Sequence, residues 1–134
     1  MAFIAMSTFC DDIRQEVSGK VSLIGTYGSH MYVDGFPVRL PKLCVNFSAV
    51  MTKDEERIDS LKFFIFCGDT KLHEMSIEGF PQPVDIGTES RIVGGVDIPF
   101  FEMETSDVLE AFFEKNGQRI DAGRLIVEKN PDEN

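Results

Sequence analysis

Phe9-Cys10-Asp11-Asp12-Ile13-Arg14-Gln15-Glu16-Val17-Ser18-Gly19-Lys20-Val21-Ser22-Leu23-Ile24-Gly25-Thr26-Tyr27 is the stretch whose reading decides the fold. Two strand-like runs flank Ser18-Gly19-Lys20, a short connector with a glycine, which is the signature of a hairpin. The second arm alternates. Val21, Leu23, Gly25 and Tyr27 share one side, and Ser22, Ile24 and Thr26 share the other. Successive side chains of a strand point to opposite faces, so this alternation reads as a strand in a sheet.

The same period recurs on both sides of the hairpin. Residues 2–10 alternate weakly and form a candidate first strand. Gly28-Ser29-His30 and Asp34-Gly35-Phe36-Pro37 punctuate the chain, and Pro41 marks a boundary before the next run. In residues 43–51, Leu43, Val45, Phe47, Ala49 and Met51 occupy one face while Cys44, Asn46 and Ser48 occupy the other, the pattern of a half-buried strand. A charged connector, Lys53-Asp54-Glu55-Glu56-Arg57, leads to Leu61-Lys62-Phe63-Phe64-Ile65-Phe66-Cys67, a strand apolar on nearly both faces. Gly68-Asp69 turns the chain into residues 70–77. Residues 79–95 hold Pro81, Pro83, Gly87 and Gly94-Gly95 and read as a long connection, such as one crossing between sheets. Residues 98–104 alternate again, with Phe101 and Met103 opposite Glu102 and Glu104. A last strand covers residues 119–129. Residues 1–129 thus form one domain, and residues 130–134 a polar tail.

Residues 106–117 admit two readings. Ser106 suits a helix cap, Asp107 and Glu110 the first turn, Lys115 the last, and Asn116-Gly117 the stop, which gives a short helix over residues 106–115. Equally, Leu109, Ala111 and Phe113 fit one face of a strand, with Glu110, Phe112 and Glu114 opposite and Asn116-Gly117 as a hairpin turn.

The chain has 134 residues, 43% of them hydrophobic, with 12 phenylalanines, enough to bury one core without disulfides or metal. With 23 acidic and 13 basic side chains, the formal net charge is −10. Such a surface repels polyanions, which excludes DNA as a direct ligand and disfavours an anionic membrane; it attracts basic protein surfaces. Cys10, Cys44 and Cys67 are odd in number and far apart, and they lack a CxxC pair. They read as free thiols in a reducing compartment. Met1-Ala2-Phe3-Ile4-Ala5-Met6 has neither a basic leader nor a long apolar run, so a cytoplasmic protein is expected, in the host cytoplasm if phage-encoded.

The chain resembles a family of small, uncharacterised bacterial and phage proteins expected to be β-sandwiches. The matching residues are Cys10-Asp11-Asp12-Ile13-Arg14-Gln15, Gly19-Lys20-Val21-Ser22-Leu23-Ile24-Gly25-Thr26-Tyr27, Phe36-Pro37 and Leu40-Pro41-Lys42-Leu43. A weaker echo lies in Asn116-Gly117 and Gly123-Arg124-Leu125-Ile126-Val127. The resemblance implies an all-β, single-domain, immunoglobulin-like antiparallel β-sandwich and favours the strand reading of residues 107–114. It brings no catalytic residues, and fold likeness alone does not license a function.

No catalytic, cofactor or metal motif emerges. His30 and His73 have no nucleophile motif beside any serine, and the three cysteines and two histidines lack the paired spacings of zinc ligands. Gly94-Gly95 lacks the context of a phosphate-binding loop. Two candidate partner surfaces remain. Asp54, Glu55, Glu56 and Asp59 cluster in one connector, and Glu102, Glu104, Glu110 and Glu114 are expected to line the outward face of two late strands. Carboxylates on alternate strand residues are spaced about 6–7 Å apart, close to the phosphate spacing along one DNA strand. The second surface is Phe64 and Phe66, which need cover from the same chain, a dimer or a partner. The expected function is a non-enzymatic, acidic macromolecule-binding protein, a phage or bacterial accessory factor. It would inhibit a host nucleic-acid enzyme (a topoisomerase, polymerase or nuclease) by DNA-like charge. A virion or assembly component and a small-molecule binder using residues 79–95 are the alternatives.

Overall fold

The computed structural model describes residues 3–52, 55–82 and 89–131. They form nine strands: β1 (Phe3–Gln15), β2 (Val21–Thr26), β3 (His30–Val33), β4 (Val38–Thr52), β5 (Leu61–Cys67), β6 (Thr70–Ser76), β7 (Glu89–Met103), β8 (Asp107–Lys115) and β9 (Gln118–Lys129). Two sheets pack face to face, one ordered β2-β1-β4-β7 and the other β3-β9-β8-β5-β6. The chain is an all-β sandwich. Its core is the pair of inward faces. Phe3, Phe47, Phe63 and Phe113 are fully enclosed at its centre, with the Phe47 and Phe63 rings stacked at 4.3 Å and Phe113 edge-on to Phe47 at 5.6 Å.

The period-2 faces are where the sequence places them. Leu43, Val45, Phe47, Ala49 and Met51 of β4 point into the core, as do Phe101 and Met103 of β7. Residues 106–115 are not helical. They are β8, in which Leu109, Ala111 and Phe113 face the core and Asn116-Gly117 turn the chain into β9. The strand wins because that face completes the core against β5, whereas an isolated helix of this length is marginal. Asn116, at φ 51°, then serves a second purpose: its Oδ1 accepts the Asp59 and Ser60 amides at 2.8 and 3.1 Å and its Nδ2 donates to the Arg57 carbonyl.

Several boundaries differ from the sequence reading. The first strand and first hairpin arm are one strand, β1, which pairs with β4 up to Cys10 and with β2 from Cys10 onward. The connector is a 3-10 turn over Val17–Gly19 with Ser18 and Gly19 at positive φ. Strand β3 starts at the end of the punctuating Gly28-Ser29-His30 and stops before Asp34-Gly35-Phe36-Pro37, where the sequence reading assigns no strand. It is four residues long and pairs in parallel with β9, so the sandwich is not wholly antiparallel. Pro41 lies inside β4 rather than before it. There β4 and its partner β7 change, together, which parity faces inward: Leu40 gives way to Leu43, and Ile98 to Phe101. The pairing continues unbroken through this point because Phe100 adopts φ 53° and turns its ring out to solvent.

β6 and β7 belong to different sheets, as a connection crossing between sheets requires; residues 83–88 of that stretch, with Pro83 and Gly87, lie outside the described residues, and residues 89–95 belong to β7. Gly94-Gly95 does not break that strand. Gly94 lies opposite Phe47, and a methyl group on it would overlap the Phe47 ring. The glycine makes room for an aromatic, a demand that local sequence does not display.

Candidate interaction surfaces

The outward face of the five-stranded sheet carries Phe64 and Phe66 of β5 beside Phe112 of β8. Phe64 and Phe112 stack at 5.2 Å between centroids, and the Arg119 guanidinium lies 4.0 Å over the Phe112 ring. Arg119 is held in place by Glu110 at 2.5 Å and Asp121 at 2.8 Å. On the other flank Glu74 pairs with Lys71 at 2.6 Å and lies 3.8 Å from Lys62. Long charged side chains lay their apolar stems over aromatic surface while keeping their heads in water. Phe64 is thereby 9% exposed and Phe112 8%, although both point away from the core. The cover that Phe64 and Phe66 require comes from their own sheet.

The outward face of the four-stranded sheet is different. Ile4 pairs across to Val50, and Met6 to Ser48, which faces Val93 in turn. Directly opposed residues share a face. Ile4, Met6 and Val93 are 61%, 60% and 59% exposed. Among the described residues no ring pair or cation over a ring involves them; the charged side chains of this face include Glu89, Arg91 and Asp97 along β7 and the Asp12–Lys42 pair toward the hairpin end. Sequence reading missed this patch. The available signal was that residues 3–9 are apolar on both sides of the alternation, with Phe3 and Phe9 inward and Ile4 and Met6 outward.

A groove of about 410 Å³ adjoins the patch, between the far arm of the β1–β2 hairpin and the β4–β7 pair. Ile13, Val21 and Val93 supply its apolar wall, and Gln15, Asn46 and Asp97 its polar groups. Gly95 leaves space on the floor for Ile13, whose Cδ1 would stand 3.0 Å from a methyl group there. At one end Cys10 and Cys44 pair side by side, wholly enclosed, and Asp97 lies next in the row. The Cys44 thiol donates to Asp97 Oδ1 at 3.0 Å. Burial, then that hydrogen bond, pushes the Cys44 thiol up to about 12. Burial likewise raises the thiols of Cys10 and Cys67. All three cysteines are free. The hairpin is tied down at Asp11, whose Oδ1 accepts the Tyr27 hydroxyl at 2.6 Å, and at Asp12, which Lys42 meets at 2.6 Å. The Lys42 ammonium holds the Asp12 carboxyl below the usual range.

The carboxylates expected as one row are not one row. Glu102 is on β7 of the four-stranded sheet and pairs with Arg39 at 3.3 Å, and Glu104 lies just past the end of that strand. Glu110 and Glu114 are on β8 of the other sheet, where Glu110 meets Arg119 and Glu114 stands opposite Lys62. The row requires that consecutive strands be neighbours, but the chain changes sheet between β7 and β8. The connector cluster is divided too. Asp54 lies outside the described residues. Glu55 is buried against Lys115 in an ion pair, Glu56 is exposed, and Asp59 is exposed beside Arg57 at 3.4 Å. Glu55 is therefore a structural anchor of the connector rather than a surface charge. Ile58 beside it is buried, its backbone clamped by both amide atoms of Gln82 at 2.8 Å.

Among the described residues no group of three or more His, Cys, Asp or Glu side chains is placed to hold a metal ion. His30 stacks on Tyr32 and faces Glu128 at 3.6 Å. No helix among these residues is long and apolar enough to cross a membrane. No family model matches the chain, and no curated protein matches it.

Proposed function

We propose that this chain is a non-enzymatic protein-binding module that engages its partner through the outward face of the four-stranded sheet. The observation that supports this is the exposure of Ile4, Met6 and Val93 on one strand-built face, with Ser48 and Val50 of β4 between them, next to a groove. Contiguous exposed apolar side chains rimmed by polar groups mark interaction sites. The contrast with the covered phenylalanines on the opposite sheet strengthens the reading, since the same chain seals apolar surface where it is not used. The net charge of −10 selects a partner with a basic surface, which long-range attraction brings in before the apolar contact forms. A nucleic-acid enzyme of the host is one partner of that kind, in line with the resemblance to bacterial and phage proteins.

The experiment is a comparison of capture from a bacterial lysate by wild type, Ile4→Glu/Met6→Glu and Phe66→Glu, read by mass spectrometry and repeated across salt concentrations. The first variant loses the specific partner, the second keeps it, and binding weakens as salt rises. Equal capture by Ile4→Glu/Met6→Glu removes this face from consideration.

A second reading rests on the groove itself, whose volume falls in the range of small-molecule sites. Asn46, Gln15 and Asp97 line it together with the apolar wall, and Gly94 and Gly95 line it too, so part of the 79–95 segment contributes. Methyl shifts of Ile13 and Val21 on addition of small polar fragments test it; an unperturbed spectrum across the set rejects it.

A further inference from the structure

We infer that β7 is a self-pairing edge through which two copies of this chain join their four-stranded sheets into one continuous eight-stranded sheet. Among the described residues β7 pairs with β4 alone, leaving its other edge with unpaired main-chain groups. Natural sheets blunt such edges with short strands, lysines, prolines or bulges. The other edges here are blunted in these ways. Strand β3 has four residues and β2 six, and β6 carries Lys71 and sits against a register shift at Ile65/Phe66. Residues 89–98 of β7 have no lysine, no proline and no register shift; Pro99 and the outward-turned Phe100 come only after them.

The side chains along this edge are complementary to themselves. Placing a two-fold axis through Gly94 runs β7 antiparallel to its copy and sets Arg91 opposite Asp97 of the second copy, twice by symmetry. The same register sets Ile92 opposite Val96 and Val93 opposite Gly95. Parity is respected: Ile92 and Val96 are core residues, while Arg91, Val93, Gly95 and Asp97 are exposed. Side chains directly opposed in an antiparallel pair interact, and opposite charges there are favourable. Neighbouring registers do worse. An axis through Val93 brings Glu89 against Asp97, and one through Gly95 sets Arg91 opposite Pro99. Arg91 makes no ion pair among the described residues, and Asp97 has a second carboxylate oxygen besides the one that takes the Cys44 thiol. The inference stands on the main-chain edge of β7 and its charges, not on the partner-binding reading, which uses the outward side chains Ile4, Met6 and Val93.

Sedimentation equilibrium of the full chain, from micromolar to submillimolar concentration, tests it. Wild type is a dimer that loosens as salt rises. Arg91→Asp, which keeps its strand circular dichroism because Arg91 is exposed, dissociates about tenfold more readily, since two attractive cross-strand pairs become repulsive. The exchange Arg91→Asp/Asp97→Arg restores the dimer. Arg91→Cys/Asp97→Cys cross-links into covalent dimers under mild oxidation, since opposed strand residues stand within disulfide reach; Arg91→Cys/Pro99→Cys does not. A wild-type chain that stays monomeric throughout overturns the inference. So does an Arg91→Asp variant that associates as tightly as wild type, or a folded exchange variant that stays monomeric.

Discussion

The two outward faces of the sandwich differ in how they treat apolar side chains. On the five-stranded sheet Arg119, held by Glu110, lies over Phe112, and Glu74, Lys71 and Glu110 stand opposite Phe64 and Phe66 on the neighbouring strands, so ion-paired side chains flank the stacked rings. On the four-stranded sheet Ile4, Met6 and Val93 have no such cover. Apolar side chains point outward on both faces, but it is on the five-stranded one that a charged group folds over them, Arg119 over Phe112. An apolar residue pointing outward is thus not by itself a docking signal. What its cross-strand neighbours carry decides whether it is sealed or offered.

That contrast is sharpest in stability. Phe112→Ala removes the ring that both Phe64 and Arg119 pack on, and should cost about 3 kcal/mol, the low end for losing a buried phenylalanine because the site can partly collapse. Urea denaturation measures it; a change below ~0.5 kcal/mol, the scale of an ordinary surface substitution, would mean that this face is open after all. Gly94→Ala probes the other sheet from inside, because its methyl group meets the Phe47 ring. Overpacking of this kind costs about 1–3 kcal/mol, and an unchanged denaturation midpoint would show that the ring has room to move.

The Cys44–Asp97 pair gives the four-stranded sheet a pH signature, while on the other sheet burial raises the Cys67 thiol. The unfolded thiol titrates near 9.0 and the folded one at about 12. The folded state then holds its proton more tightly, so this contribution is complete below pH 9. It is lost as pH rises from there toward 12, by about 1.4 kcal/mol per pH unit. Cys44→Ala removes that part of the slope. A stability profile flat between pH 9 and 11 would contradict the buried thiol. Thiol reagents at neutral pH should leave native Cys10 and Cys44 unmodified and find three thiols after denaturation without reductant. The smallest effect is on the open face: Ile4→Ser and Met6→Ser should change stability by less than ~0.5 kcal/mol, as exposed positions do. A loss of several kcal/mol there would mean that these side chains are already covered, and would erase the difference between the faces.

Much of the fold is legible along the chain, because a period of two is a local property. Residues 43–51 alternate in sequence and alternate between core and outside in the sandwich, and Phe101 and Met103 do the same. Asn116-Gly117 is a hairpin turn because Asn and Gly tolerate the positive φ that both adopt there. Where local evidence was evenly divided, over residues 106–115, the core face of Leu109, Ala111 and Phe113 was decisive. The candidate sites were far less legible. Glu102 and Glu110 have the same local pattern as neighbours in one row would have, yet they lie on different sheets. Glu55 looks like one more acid in a charged connector and is buried against Lys115.

From its sequence alone this protein is a strand-built, acidic chain with reduced cysteines to be expected, with Phe47 and Phe63 turned inward and a hairpin around Ser18-Gly19-Lys20. Only the tertiary structure decided which strands share a sheet, that Phe64 and Phe112 are roofed by Arg119, that Gly94 makes way for Phe47, and that Ile4, Met6 and the β7 edge stay open. The reason is physical. Which way a side chain points along a strand depends on its own parity, whereas what it meets depends on the register and order of strands distant in sequence.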